Sequence, residues 1–197
     1  MNKEMTQLSQ PDLRFPKVPQ VSIYGIQVSK LSFQDTVNYL TGVIGQNTGD
    51  NQAPFHVVTA NPIMIMTALN DSVHMTMMKN AELVVPDGTG LVWATHYVGN
   101  PVAERVPGID LLHGLMKLSE QNQWSVFLLG TSPETIHKTA DNLSKQYPRL
   151  ILAGYRDGYF QPAQDEEVVA QIREASPHIL LVGRSADNQD IWIDKYK

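Results

Sequence analysis

The chain has 197 residues, 42% of them hydrophobic and 18% charged, which is enough apolar content for one buried core and too much for a disordered chain. A formal net charge of −5 leaves no basic footprint for nucleic acid, and with no cysteine there is no disulfide, thiolate nucleophile or thiolate metal site. Neither a run of about 18 apolar residues nor a signal-peptide core occurs, which predicts a cytoplasmic protein.

In chain order, residues 1–20 are polar, contain Pro11, Pro16 and Pro19, and predict an extended arm ahead of a core at 21–197. Residues 21–29 predict a hairpin or short strand around Gly25. A helix follows over 32–46, with Ser32 as N-cap and Phe33, Val37, Leu40 and Ile44 at helical spacing. After a loop at 47–54, a strand at 55–60 leads into a helix that opens at Asn61, with Pro62 in its first turn. The strand at 82–86 runs into Asp87, and the glycines Gly88 and Gly90 open a helix that ends near Tyr97. Further helices are predicted at 108–121, 132–148 and 163–176, and strands at 124–130, 149–154 and 178–183. The strands are unbroken apolar runs, as in a sheet covered on both faces. Their alternation with helices predicts an open, mostly parallel α/β sheet with helices on both faces.

In such sheets ligands bind beyond the carboxyl ends of the strands. That rule selects residues 59–62, 86–90, 128–134 and 182–189, where helix N-termini would present free N–H groups to anions. None of the four matches a phosphate motif; after Gly88 and Gly90 the third glycine of G-x-G-x-x-G is replaced by Trp93. From spacing alone Asp87 divides evenly between a chemical role and a turn or cap, and Thr59 and Asn61 read more readily as caps than as ligands. The six histidines show no metal spacing, and no Ser-His-Asp set stands out. Met64, Met66, Met75, Met77 and Met78 read as core or partner-facing residues, which makes 64–78 a candidate face for a homo-oligomer.

An ordered series of motifs then accumulates: VVTANPIMI (57–65), ELVVPDGTGLV (82–92), ERVPGIDLL (104–112), FLLGTSPE (127–134), YPRLILAGYRDGYF (147–160) and a weaker NQDIWI (188–193). The series resembles the TagA/WecG/CpsF family of bacterial glycosyltransferases over about residues 20–195. The resemblance implies a Rossmann-like fold and a metal-independent, inverting transfer that uses no cofactor. The sugar, of N-acetylmannosamine type, would pass from a UDP-sugar to N-acetylglucosamine on undecaprenyl diphosphate, toward teichoic acid or a related surface polysaccharide. It also implies roles: Asp87 as general base, Thr59 and Asn61 as pocket residues, Arg105 as a diphosphate or acceptor contact, Gln189 as the late-motif glutamine, and Gly88 and Gly90 as a turn that admits substrate.

The late motif departs from the family's G-x-P-[KR]-Q-E pattern, with Ser185, Asp187 and Asn188 where the glycine, proline and basic residue are expected, and Arg184 as the nearest positive charge. Family members also continue past the position of Lys197 into a basic, apolar segment. Contact with the inner face of the cell membrane is therefore expected through a segment absent from these residues. A non-catalytic sugar-nucleotide-binding module that kept the fold is the alternative reading.

Overall fold

The computed structural model describes residues 15–46, 53–185 and 188–197. Residues 1–14 of the predicted arm, 47–52 of the predicted loop, and Ala186 and Asp187 of the late motif lie outside the described residues. The described part of the arm packs on the core: Phe15 meets Phe55 edge-on at 5.2 Å, and Tyr39 Oη donates to the Pro16 carbonyl.

The elements are β1 (Gln20–Ile23), β2 (Ile26–Ser29), α1 (Phe33–Gln46), β3 (Val57–Ala60), α2 (Pro62–Asn70), α3 (Ser72–Asn80), β4 (Leu83–Pro86) and α4 (Thr89–Tyr97). They continue as α5 (Gly108–Asn122), β5 (Ser125–Gly130), α6 (Pro133–Gln146), β6 (Ile151–Arg156), α7 (Asp165–Ala175), β7 (Ile179–Gly183) and α8 (Gln189–Tyr196). The expected caps are in place, with Ser32 Oγ accepting the Asp35 N–H (3.1 Å) and Ser132 Oγ the Thr135 N–H (3.2 Å).

The helix opening at Asn61 ends at Asn70, and a second helix, α3, for which the chain-order reading gave no bounds, follows it. Asp71 stands extended between them, and its carboxylate accepts the Val73 N–H at 2.8 Å. That bond first, and His74 second, hold the Asp71 carboxyl below its ordinary value. The cap therefore works fully at neutral pH and is lost only as acid protonates the carboxylate below about pH 4.

The fold is an open, mostly parallel, Rossmann-like α/β arrangement, but hydrogen bonding divides the strands into two sheets, β1-β2-β4-β3 and β6-β5-β7. Every strand pair is parallel except the β1–β2 hairpin. The sheets share one core: Leu83 and Val85 of β4 join Val126 and Leu128 of β5 beneath Leu40, Leu115 and Ile136 of the covering helices. Alternate residues point the other way. Val58 and Val84 meet Ile65, Met77 and Met78, while Phe127 and Leu129 meet Val168 and Trp192. Strands buried on both faces account for the unbroken apolar runs. Each such side chain contributes about 1.5–3 kcal/mol, more than the ~1 kcal/mol of a cap, so packing sets the layers and caps set the helix ends. The methionines divide, with Met77 and Met78 buried and Met66 exposed.

Helix α8 holds the two halves together. On one side Asp190 meets His56 at 3.2 Å and Asp194 accepts from Asn80 Nδ2 at 3.1 Å. On the other, Trp192 Nε1 and Tyr196 Oη donate to the two carboxylate oxygens of Asp165 at 3.0 and 2.9 Å.

Strands β5 and β7 end side by side, where Gly130 adopts φ +146° and an added Cβ would lie 2.3 Å from the Gly183 carbonyl oxygen. Gly130→Ala is therefore expected to lower stability by about 1–3 kcal/mol, read as a lower urea midpoint. An unchanged midpoint contradicts this packing.

Candidate active site

Three chain segments meet at the carboxyl end of β4. The β3–β4 pairing extends one step past the strands, because the Asp87 N–H donates to the Ala60 carbonyl at 2.8 Å. The loop before α5 adds a third line, with the Val106 N–H donating to the Pro86 carbonyl at 2.8 Å. Val106 is fully buried, so its backbone registers the neighbouring Arg105 against Asp87. Glu104 fixes the same loop from the other side by accepting the Phe33 N–H at 2.7 Å.

Within this frame the Asp87 carboxylate has two partners. Oδ1 accepts from Arg105 Nη2 at 3.3 Å and Nε at 3.4 Å, and Oδ2 accepts the Gly108 N–H at 3.1 Å, at the first turn of α5. Asp87 is thus not the cap of its own helix, a place Gly88 occupies, but it does anchor the start of α5. The side chains of Asp87 and Arg105 remain 27% and 47% exposed, so the ion pair faces solvent on one side. A Cβ on Gly108 would lie 3.1 Å from Thr59 Oγ1 and 3.3 Å from Asp87 Oδ2, which places the Thr59 hydroxyl and the carboxylate against the same point.

The structure therefore brings Thr59, Asp87 and Arg105 together. Asn61 stands beside them as the N-cap of α2, its Oδ1 accepting the Met64 N–H at 3.1 Å, as the cap reading expects. Gly88 and Gly90 have a packing role: an added Cβ would lie 2.5 Å from Pro62 Cδ at the first and 2.9 Å from Pro62 Cγ at the second. Those glycines let the two strand-end turns press together. Gln189 belongs to the other sheet. With its amide nitrogen turned inward it donates to the Val182 and Arg184 carbonyls, each at 3.3 Å, beside the end of β7.

Two cavities open near these loops. One, of about 490 Å³, lies where β5 and β7 end, between Thr131, Gly158, Tyr159, Phe160 and Arg184. This is a strand-order switch point, since β6 and β7 flank β5 on opposite sides. Arg184 lies over the Phe160 ring at 4.1 Å, and the Gly158 N–H donates to the Thr131 carbonyl at 2.9 Å. Strand-end reasoning selected Thr131 and Arg184 but missed the 158–161 loop, whose only signal was the YRDGYF segment. The second cavity, of about 450 Å³, borders Arg105. Among the described residues no three histidine, aspartate or glutamate side chains converge as metal ligands would. No described helix is long and apolar enough to cross a membrane.

Comparison with known proteins adds chemistry to this geometry. A family model described as Glycosyl transferase WecG/TagA/CpsF family matches residues 21–197. An N-acetylglucosaminyldiphosphoundecaprenol N-acetyl-beta-D-mannosaminyltransferase of Staphylococcus aureus (strain NCTC 8325 / PS 47) is 30% identical over 174 residues, 88% of this chain. A protein of the same name from Bacillus spizizenii is 29% identical over 176 residues, 86% of this chain. The chain spans 66% of the length of each of these relatives.

Proposed function

The chain belongs to the WecG/TagA/CpsF glycosyltransferase family, and we propose that it transfers N-acetylmannosamine or a related sugar from a UDP-sugar to undecaprenyl-diphosphate-linked N-acetylglucosamine. The observation that carries this reading is the half-exposed Asp87–Arg105 pair beside Thr59, set where a ligand of an open α/β sheet belongs. Family membership weighs against a module that kept the fold without the chemistry. Residues 21–197 are taken as a single transferase core, with the lipid product feeding teichoic acid or a related polymer.

In the proposed step the acceptor hydroxyl oxygen attacks the anomeric carbon of the donor from the face opposite UDP. Its proton passes to Asp87, the bond to UDP breaks, and UDP leaves with the electron pair. An anomeric carbon attacked from the opposite face is inverted. Asp87 Oδ1 faces Arg105, a long and half-exposed side chain. When the guanidinium turns to the acceptor's diphosphate, Oδ1 becomes free to take the proton. Thr59 and the Asn61 amide flank the attacking sugar, and Gly88 and Gly90 hold the two loops at the distance this requires.

The donor is assigned to the cavity at the ends of β5 and β7, with Arg184 toward the leaving diphosphate and Gln189 bracing the loop that carries it. Nothing in this scheme requires a metal or cofactor, and the reaction would run in the cytoplasm at the inner membrane face. Arg184→Ala is expected to weaken UDP binding about tenfold or more, from the loss of a charge-assisted hydrogen bond. Titration calorimetry with UDP measures this, and an unaltered Kd removes Arg184 from the donor site. The function itself is tested by UDP release from UDP-N-acetylmannosamine, which should depend on a GlcNAc-diphosphate lipid. Release at equal rate without the acceptor contradicts it.

A further inference from the structure

The two cavities differ in the charge of their walls. The one at the ends of β5 and β7 has Arg184 and, among the described residues that line it, no carboxylate. The one beside Arg105 is walled by Phe33, Gln34, Glu104, Arg105, Pro107 and Asp110, with two carboxylates against one guanidinium already paired with Asp87. A diphosphate would meet net negative charge there. Beside the remaining N–H groups of Arg105, the polar atoms left open in this cavity are mainly acceptors. Glu104 uses Oε1 on the Phe33 N–H, Gln34 uses its amide nitrogen on Asn38 Oδ1 at 3.0 Å, and Asp110 makes no hydrogen bond or ion pair among the described residues. Glu104 Oε2, Gln34 Oε1 and the Asp110 carboxylate are therefore available together to a ligand that brings its own donors.

An uncharged ring carrying several hydroxyls is such a ligand. Its hydroxyls would donate to the carboxylates, and its C–H face would lie along Phe33 and Pro107, the mixture of apolar wall and few polar groups that small-ligand sites use. Resting on the transferase reading above, we infer that this cavity is the subsite for the acceptor's sugar ring, an N-acetylhexosamine. Arg105 is the shared wall between this cavity and Asp87. A ring seated in the cavity presents one hydroxyl past Arg105 to the Asp87 carboxylate, and its diphosphate lies outside the cavity on the exposed side of Arg105, away from Glu104 and Asp110. The donor's diphosphate is left to the cavity with no carboxylate among its described lining, so the charge of the two walls sorts an uncharged ring from a diphosphate.

Gln34→Ala and Asp110→Asn test this without touching Glu104, which fastens the loop to α1, or Arg105 and Asp87. Both side chains are exposed on first helical turns, and thermal melts matching the parent chain establish folding. Measured on the full chain, each substitution is expected to raise KM for a GlcNAc-diphosphate-alkyl acceptor about threefold to tenfold, with KM for the UDP-sugar unchanged. An unchanged acceptor KM overturns the subsite while leaving the transferase reading intact, and so does a rise confined to the donor KM. If the parent chain forms no product, the transferase reading fails on its own. Binding of the acceptor analogue by saturation-transfer NMR then decides the subsite: weaker binding in both variants upholds it, and equal or absent binding overturns it.

Discussion

Asp87→Asn is expected to lower turnover by about 10²–10⁴-fold, the range a positioned general base supplies, while the chain folds as before. The reason lies in how the carboxylate is held. An asparagine keeps one oxygen for the Gly108 N–H, now 3.1 Å from Oδ2, and so preserves the start of α5. Its amide nitrogen would then face the Arg105 guanidinium, donor against donor, in place of the present 3.3 Å contact. Arg105 loses its partner, but both groups are exposed enough for water to satisfy them. What cannot be replaced is the proton acceptor. A melting temperature near that of the parent chain, together with lost turnover and little change in substrate KM, is the expected pattern. Turnover within a few-fold of the parent would remove Asp87 from the reaction and leave it as an anchor for α5.

The largest effect on stability is expected at His56, far from the chemistry. Its Nε2 lies 3.2 Å from Asp190 Oδ1, and the two side chains are only 1% and 6% exposed. His56 Nδ1 is itself buried without a hydrogen-bond partner, so the bond to Asp190 is the polar tie of the ring. His56→Leu fills similar volume but strands a buried carboxylate. Removing one partner of such a pair costs about 3–5 kcal/mol, or a fall in Tm on the order of 10 °C for a chain of this size. Asp190→Asn keeps a hydrogen-bonding partner for the imidazole and should cost only about 1 kcal/mol. Equal Tm values for the two variants would mean that the pair contributes packing and no polar tie. Because Asp190 follows Gln189 on α8, His56→Leu should also weaken UDP binding more than Asp190→Asn does.

Much of this architecture is legible in the sequence because the strands announce themselves twice, as unbroken apolar runs and by the caps that follow them. Ser132 and Asn61 cap the helices they were expected to cap, and Pro62 sits where a missing N–H does no harm. The ordered motifs also led directly to Asp87, Thr59 and Arg105, which the fold gathers at one strand end. What stayed hidden was long-range. Asp71 separates two helices whose apolar positions do not distinguish them, so α3 received no bounds of its own. The division into two sheets depends on which strand edges pair, and that information is spread over the whole core. The packing of Gly88 and Gly90 stayed hidden for a similar reason. A glycine before a helix suggests an approaching ligand, whereas here the approaching group is the Pro62 ring of a neighbouring loop. His56, unremarkable among six histidines, acquires its importance from a residue 134 positions away.

Inversion at the anomeric carbon leaves its mark in the linkage of the product. The full chain would be incubated with UDP-N-acetylmannosamine, whose sugar is α-linked, and a GlcNAc-diphosphate lipid, and the disaccharide examined by proton and carbon NMR. One β-linked disaccharide for each UDP released is expected. An α-linked product, or UDP released without any disaccharide, would contradict an inverting transfer.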